Sequence, residues 1–357
     1  MKDAIYEPGR MIDMNDPKWA HPGFEDNYYI NGRKTIEKFT NPETPLETRI
    51  AKRDKVYKQL EEAHPAILAM HPEWEEQGET KDYFIPGVAG DDSQIHITVR
   101  FPKKRKKKNK TLFYIPGGGI VFGTPYLAPI EEYCYELDCI VVAPWYRSGL
   151  DAPYPAAIDD TFAAYKWMIE NAAELGVHPD KVVLTGLSVG AMYDICLAFR
   201  LKENGFKPRG VVAMDPLFDD REMYLSQRYV NDAWDSDQAR RVWNMYLGPE
   251  NFANPGLGPE AMPGRATVED CKGLCPMIVH TPGNDRELDP SRVFMDTVRA
   301  AGVYTEYHVW GGCIHSTYYA LPADNEQRQR YMTVFFGNIK DLWEYDFRRS
   351  WLWESEE

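Results

Sequence analysis

Residues Val183-Leu184-Thr185-Gly186-Leu187-Ser188-Val189-Gly190-Ala191 constrain this chain more than any other stretch. An apolar run rich in β-branched residues leads into Gly-x-Ser-x-Gly, and Met192, Ile195, Cys196 and Phe199 follow at helical spacing. The pattern predicts a strand, a sharp turn and a helix, with Ser188 at the apex. Small residues on both sides of the serine let the backbone pack tightly and hold the hydroxyl clear of its neighbours. An ordinary glycine-rich turn carries the same short motif, so its meaning depends on what the rest of the chain supplies.

A serine hydroxyl is a poor nucleophile at neutral pH and needs a base, an orienting carboxylate and donors for a developing oxyanion. Three segments offer them. The apolar run Thr111–Ile115 ends in Pro116-Gly117-Gly118-Gly119, where backbone N–H groups can approach a ligand closely. The strand-like Pro276–Thr281 ends in a turn bearing Asp285, and Thr305–Trp310 ends in Gly311-Gly312-Cys313-Ile314-His315. An acid and a histidine thus each follow a strand, in the order Ser, Asp, His, as in a serine hydrolase built on a parallel sheet.

The remaining pattern predicts one α/β domain with additions. Strands are expected near 94–101, 111–115, 139–145, 181–184, 210–214, 277–281 and 305–309. Helices are expected near 129–137, 158–175, 191–203, 291–301 and 325–339. Residues 1–80 read as an N-terminal cap segment rich in Trp19, Phe24, Tyr28 and Tyr29, able to cover a site or to serve as a dimer arm. It includes a helix over 45–63 capped by Thr44 and ended by His64-Pro65. Residues 81–340 form the core, with a cap insertion near 216–265. Residues 341–357 form a helical tail with Trp343, Phe347 and Trp351 on one face, expected to pack on its own body.

The formal charge of −14 speaks against a nucleic-acid enzyme and against binding to anionic membranes. The basic run Lys103–Lys108 reads as a solvated hairpin loop between the strands at 94–101 and 111–115. Six cysteines show no close-set disulfide framework or zinc-ligand pairing, and are expected as small buried hydrophobes. The N-terminus has no apolar signal core and no stretch approaches transmembrane length, so a soluble cytoplasmic protein is expected.

Over residues 80–340 the chain resembles the α/β-hydrolases, and within them the hormone-sensitive-lipase-like esterases. Pro116-Gly117-Gly118-Gly119 stands for the family's His-Gly-Gly-Gly. Tyr146-Arg147 with Pro153-Tyr154-Pro155-Ala156-Ala157-Ile158-Asp159-Asp160 stands for its Tyr-Arg…Pro-x-Pro-Ala-Ala-x-Asp-Asp. Gly186-Leu187-Ser188-Val189-Gly190 stands for Gly-Asp-Ser-Ala-Gly, Asp285–Asp289 for Asp-x-Leu-x-Asp, and Gly312-Cys313-Ile314-His315 for Gly-x-x-His. The resemblance implies a mostly parallel sheet flanked by helices, with a helical cap. It implies nucleophile Ser188, base His315 and acid Asp285, with oxyanion donors on the backbone of Gly117, Gly118 and Val189. Phe122 and Leu187 are expected beside the substrate. Asp289 is expected to cap the helix after it rather than to join the triad. Pro116, Leu187, Val189 and Ala191 depart from the family pattern and imply an altered pocket.

The expected function is a serine carboxylic-ester hydrolase for small or medium apolar or aromatic esters, needing no metal or organic cofactor. Its partner is the small-molecule ester, with a homodimer possible. The alternatives are a lactone, carbamate or amide hydrolase, and a non-catalytic receptor-like protein of the same fold.

Overall fold

The computed structural model describes residues 37–90, 92–127, 130–229, 236–252, 254–316, 321 and 323–348. Among these residues eight strands form one sheet: β1 (Gly78–Pro86), β2 (Gln94–Pro102), β3 (Asn109–Ile115), β4 (Ile140–Pro144), β5 (Val177–Leu187), β6 (Gly210–Met214), β7 (Met277–Pro282) and β8 (Thr305–Trp310). Their spatial order is β1-β2-β4-β3-β5-β6-β7-β8. β1 and β2 run antiparallel to their neighbours, and the other pairs are parallel.

The central strands are apolar at almost every position because both faces are covered. Side chains alternate between the faces. On one face Phe113, Ile115, Val142, Leu184, Val211, Ala213 and Val279 join one core with helices α4 (Ala156–Glu170), α6 (Val189–Glu203) and α10 (Leu288–Ala300). On the other, Leu112, Tyr114, Val141, Val183, Val212 and Ile278 pack with α3 (Ile130–Leu137) and α11 (Glu326–Glu344). Every strand from β3 onward is joined to the next by a segment containing a helix, and the parallel pairs all lie among these strands.

Several sequence expectations change. Strand β1 was not foreseen: it is a polar edge strand whose only buried side chain is Ile85. Lys103–Lys108 is not a hairpin, because β4 lies between β2 and β3 in the sheet. Within it Arg105 lies 4.0 Å over the Phe101 ring and donates to the Glu174 and Leu175 carbonyls. The first long helix, α1 (Leu46–Met70), follows Pro45 with no side-chain cap from Thr44, and it continues through Pro65. Packing of His64 against Tyr126 and Glu131 holds the turn that proline disfavours. The helix expected over 158–175 breaks at Asn171 into α4 and the short α5 (Ala172–Leu175). Asp289 does not cap α10. It lies inside the first turn, where its carboxylate accepts the Ser226 N–H at 3.0 Å and its own N–H donates to Ser226 Oγ at 3.1 Å.

In the 216–265 insertion, α7 (Leu225–Tyr229) and α8 (Ser236–Leu247) pack on the core, where Trp243 and Tyr246 are fully buried. Glu37, in the helical stretch 37–40, pairs with Arg241 of α8, so the two additions touch. Trp343 belongs to α11 and is buried in the protein's own core, and Phe347 stacks on Tyr304 at 4.2 Å. Trp351 and the four N-terminal aromatics lie outside the described residues. All six cysteines are free and buried. Among the described residues no helix is long and apolar enough to cross a membrane.

Among the described glycines the closest approach to a neighbouring backbone lies between the start of α6 and the end of β3. A Cβ at Gly190 would stand 2.1 Å from the Ile115 carbonyl oxygen and 2.7 Å from the Pro116 carbonyl. Both neighbours are backbone and cannot rotate away. Gly190→Ala is expected to cost roughly 1–3 kcal/mol or more, as overpacking does. Gly258→Ala, with nothing within 4 Å of the added Cβ, should stay within about 0.5 kcal/mol of the parent. Paired denaturant titrations test this, and equal stabilities for the two variants would contradict it.

Candidate active site

Ser188 joins β5 to α6 with φ 57° and ψ −124°, a conformation rarely occupied by a residue with a side chain. Its neighbours force that shape. Strand β5 ends in register with β3, Ile115 opposite Gly186, and the helix starts at the next residue after the serine. The Ser188 N–H donates to the Met214 carbonyl at 2.8 Å, tying the turn to the end of β6. Ser188 is 6 % exposed.

His315 comes from the loop after β8 and Asp285 from the turn after β7. His315 Nε2 lies 2.8 Å from Ser188 Oγ, and His315 Nδ1 lies 2.8 Å from Asp285 Oδ2. An ionised carboxylate only accepts, so Nδ1 is the protonated nitrogen and Nε2 is left to accept the serine O–H. Asp285 is fully buried, and its other oxygen accepts the Glu287 N–H at 2.9 Å. Residues far apart in the chain therefore meet as one line of hydrogen bonds at the carboxyl ends of β5, β7 and β8, where open α/β sheets present their ligands.

The glycine loop borders the serine. A Cβ at Gly117 would lie 2.6 Å from the Leu187 carbonyl oxygen and 3.5 Å from Ser188 Cβ. Gly118 has φ 140°, and its carbonyl accepts the Val121 and Phe122 N–H groups. Val189 is the first helical residue and fully buried. Leu187 packs in the core cluster with Tyr114 and Met214. Phe122 is 7 % exposed and lies edge-on to Phe39 at 5.2 Å and tilted to Tyr57 at 5.9 Å.

Some supports were not assigned from sequence. The Tyr146 hydroxyl is within hydrogen-bond distance of two acceptors, donating to the Pro116 carbonyl at 2.7 Å with the Phe122 carbonyl at 3.0 Å, and so braces both ends of the glycine loop. Tyr57 of α1 accepts the Gly123 N–H at 2.8 Å. Arg147 pairs with buried Asp160, so that part of the Tyr-Arg…Asp-Asp motif is scaffolding. Asp215, at the end of β6, faces the histidine loop. Nothing in the local pattern marks Asp215 or Tyr57. Tyr146 lay in a quoted motif, but its role needs the fold.

Acidic groups crowd the Asp285 turn. Burial pushes the Glu287 carboxyl up to about 8, the Asp285 charge acts in the same direction, and Arg286 opposes it. Its Oε2 accepts the Phe218 N–H at 2.8 Å, and Oε1 is buried without a hydrogen bond. The folded value exceeds the unfolded value of about 4.3, so this group's stabilising contribution is full below pH ~4.3 and is lost as pH rises through about 8. Glu287→Gln should therefore raise stability by on the order of a few kcal/mol at pH 9 and by little at pH 4. Melting curves across that range test it; a gap independent of pH would remove the linkage.

Residues 112–319 match the family described as alpha/beta hydrolase fold. The carboxylesterase NlhH of Mycobacterium tuberculosis is 27 % identical over 235 residues, which cover 61 % of this chain and 70 % of that protein. An acetyl esterase of Salmonella paratyphi B is 23 % identical over 243 residues, 66 % of this chain and 72 % of that one. Among solved structures, a bacterial heroin esterase superposes with a TM-score of 0.70 at 25 % identity, covering 75 % of this chain and 85 % of that one. The esterase LipW of Mycobacterium marinum shares the fold with a TM-score of 0.72 at 21 % identity, covering 94 % and 99 %. The family match spans more than half of the chain and contains the elbow, the glycine loop, the acid turn and the histidine loop: the chain belongs to the α/β-hydrolase fold family, in its hormone-sensitive-lipase-like branch.

Proposed function

We propose that this protein is a serine carboxylic-ester hydrolase working through an acyl-enzyme at Ser188. The observation that carries the reading is the unbroken hydrogen-bond line from Ser188 Oγ through His315 to Asp285, 2.8 Å at each step. Esterase relatives at moderate identity support ester hydrolysis as the reaction class.

Ser188 Oγ attacks the acyl carbonyl while His315 Nε2 takes its proton. Asp285 keeps the proton on Nδ1 and stabilises the imidazolium that forms. The tetrahedral oxyanion is held by the N–H groups of Gly117, Gly118 and Val189, each contributing about 3–4 kcal/mol by analogy with other hydrolases. Collapse expels the alcohol, protonated by His315. Water then enters, loses a proton to the same nitrogen and releases the acid. The reaction needs no group beyond these side chains and backbone donors. Phe122, framed by Phe39 and Tyr57, sets an apolar wall beside Gly118 and supports a preference for small or medium apolar or aromatic esters.

Ser188→Ala should abolish both turnover of activated esters and labelling by a fluorophosphonate, with the melting curve close to the parent; labelling that persists on another serine would refute the assignment. Asp285→Asn should lower kcat by about 10⁴, as loss of the correct tautomer does elsewhere. Asp289→Asn should leave kcat intact and cost ~1 kcal/mol at most, because its carboxylate serves the Ser226 tie and an exposed i,i+3 pair with Arg292. A graded acyl series should peak at short or medium chains, and efficient turnover of long-chain triglyceride emulsions would contradict that preference.

A further inference from the structure

The segment that carries His315 has an unusual backbone. Ser316, directly after the base, has φ 60°, in the left-handed region that non-glycine residues avoid. Such a conformation persists only when the surroundings hold it. The hold is Asp215. It follows β6, has φ 52° itself, and its N–H donates to the His280 carbonyl at 2.8 Å. Its side chain is 1 % exposed. Oδ2 accepts the Ser316 N–H at 2.8 Å, and Oδ1 accepts the Tyr331 hydroxyl of α11 at 3.1 Å. Three elements thus converge on one carboxylate: the end of β6, the histidine loop and α11.

Resting on the serine-hydrolase reading above, we infer that Asp215 is a second acid of the site, a positioning residue that fixes His315 through the Ser316 N–H and, when ionised, places a negative charge near the imidazole. Asp285 sets the tautomer at Nδ1. Asp215 sets where the ring's backbone stands and adds to the field that favours the imidazolium in the transition state. Among the described residues the titratable groups facing it are His315, Asp285 and Tyr331. Burial is the main influence on its carboxyl and pushes it up to about 7; His315 and the two hydrogen bonds pull it down, and the Asp285 charge pushes it further up.

The test uses the full-length protein with Asp215→Asn, Asp215→Ala and Tyr331→Phe, reading kcat, KM, the acid limb of kcat/KM and the His315 imidazole titration by NMR. The asparagine keeps an acceptor for the Ser316 N–H and removes the charge. It should lower kcat roughly 10-fold, the worth of a charge-assisted hydrogen bond, with KM changed less than about 2-fold. The activity loss should grow as pH rises through about 7, where the parent's carboxylate forms, and the imidazole titration should lose the inflection that ionisation of Asp215 imposes on the ring's signals there. Alanine should lose more activity than asparagine, and Tyr331→Phe less. Unchanged kcat and unchanged titration in folded Asp215→Asn would overturn the inference. So would reduced stability with the titration unmoved, because a purely structural role predicts that. If alanine does not fold, asparagine decides alone. If the parent hydrolyses no ester and takes no fluorophosphonate, the serine-hydrolase reading fails. The imidazole titration still decides whether Asp215 acts on His315.

Discussion

The close approach of the β5–α6 turn to the end of β3 governs everything else in this site. Cβ atoms at Gly186 and Gly190 would stand 2.4 Å and 2.1 Å from the same Ile115 carbonyl oxygen. That contact fixes the height of Ser188 above the sheet and brings Gly117 against it. Neither glycine answers a need for left-handed backbone; each is there because another main chain occupies the place of a side chain. The glycine loop is then held from three sides, by the elbow, by the Tyr146 hydroxyl and by Tyr57 of α1. Arg53 pins α1 in turn to Ser148 and Asp151. Alignment of reacting groups to a fraction of an ångström rests on such supports, since small displacements are costly in catalysis.

The central strands and the helices that cover them were legible because period and length carry them: Val183–Ala191, Thr111–Gly119 and the strand before Asp285 each show their element in apolar pattern and glycine placement. The Ser, Asp, His order was readable for the same reason, as each follows a recognisable strand. Edges were not. β1 is polar because solvent wets it, which leaves no apolar signature. The misread hairpin at Lys103–Lys108 has a different cause: strand order is a long-range property, and β4, which begins only at Ile140, enters between β2 and β3. Pro65 looked like a stop because proline disfavours a helix interior, and tertiary contacts of His64 overruled it. Asp215 and Tyr57 were invisible because what defines them is whom they meet.

The molecule also carries carboxyl groups in places that favour their neutral form. Asp194 of α6 lies beneath the elbow with both oxygens buried and without a hydrogen bond, and burial drives its carboxyl well above the ordinary range. A Cβ at Gly186 would lie 2.7 Å from it. Glu287 and Asp215 are raised as well, and the Asp285 charge pushes both further up. Stability given up around a working site is a common trade, because selection acts on function once the fold is stable enough.

The six buried thiols give the fold an internal reporter of opening. Burial pushes Cys134, Cys271 and Cys275 up to about 12 and Cys139 and Cys196 well above the usual thiol value, which keeps them from the reactive thiolate form. An alkylating reagent therefore reads the rate at which each neighbourhood exposes its cysteine. Cys313 occupies a special place among them. Its Sγ accepts from Gln327 and its carbonyl accepts the Asn284 N–H, so it links the histidine loop to α11 and to the acid turn. Modification of Cys313 ahead of Cys139 or Cys196 would time the parting of His315 from Asp285 separately from the melting of the core, in the native protein and without an introduced probe.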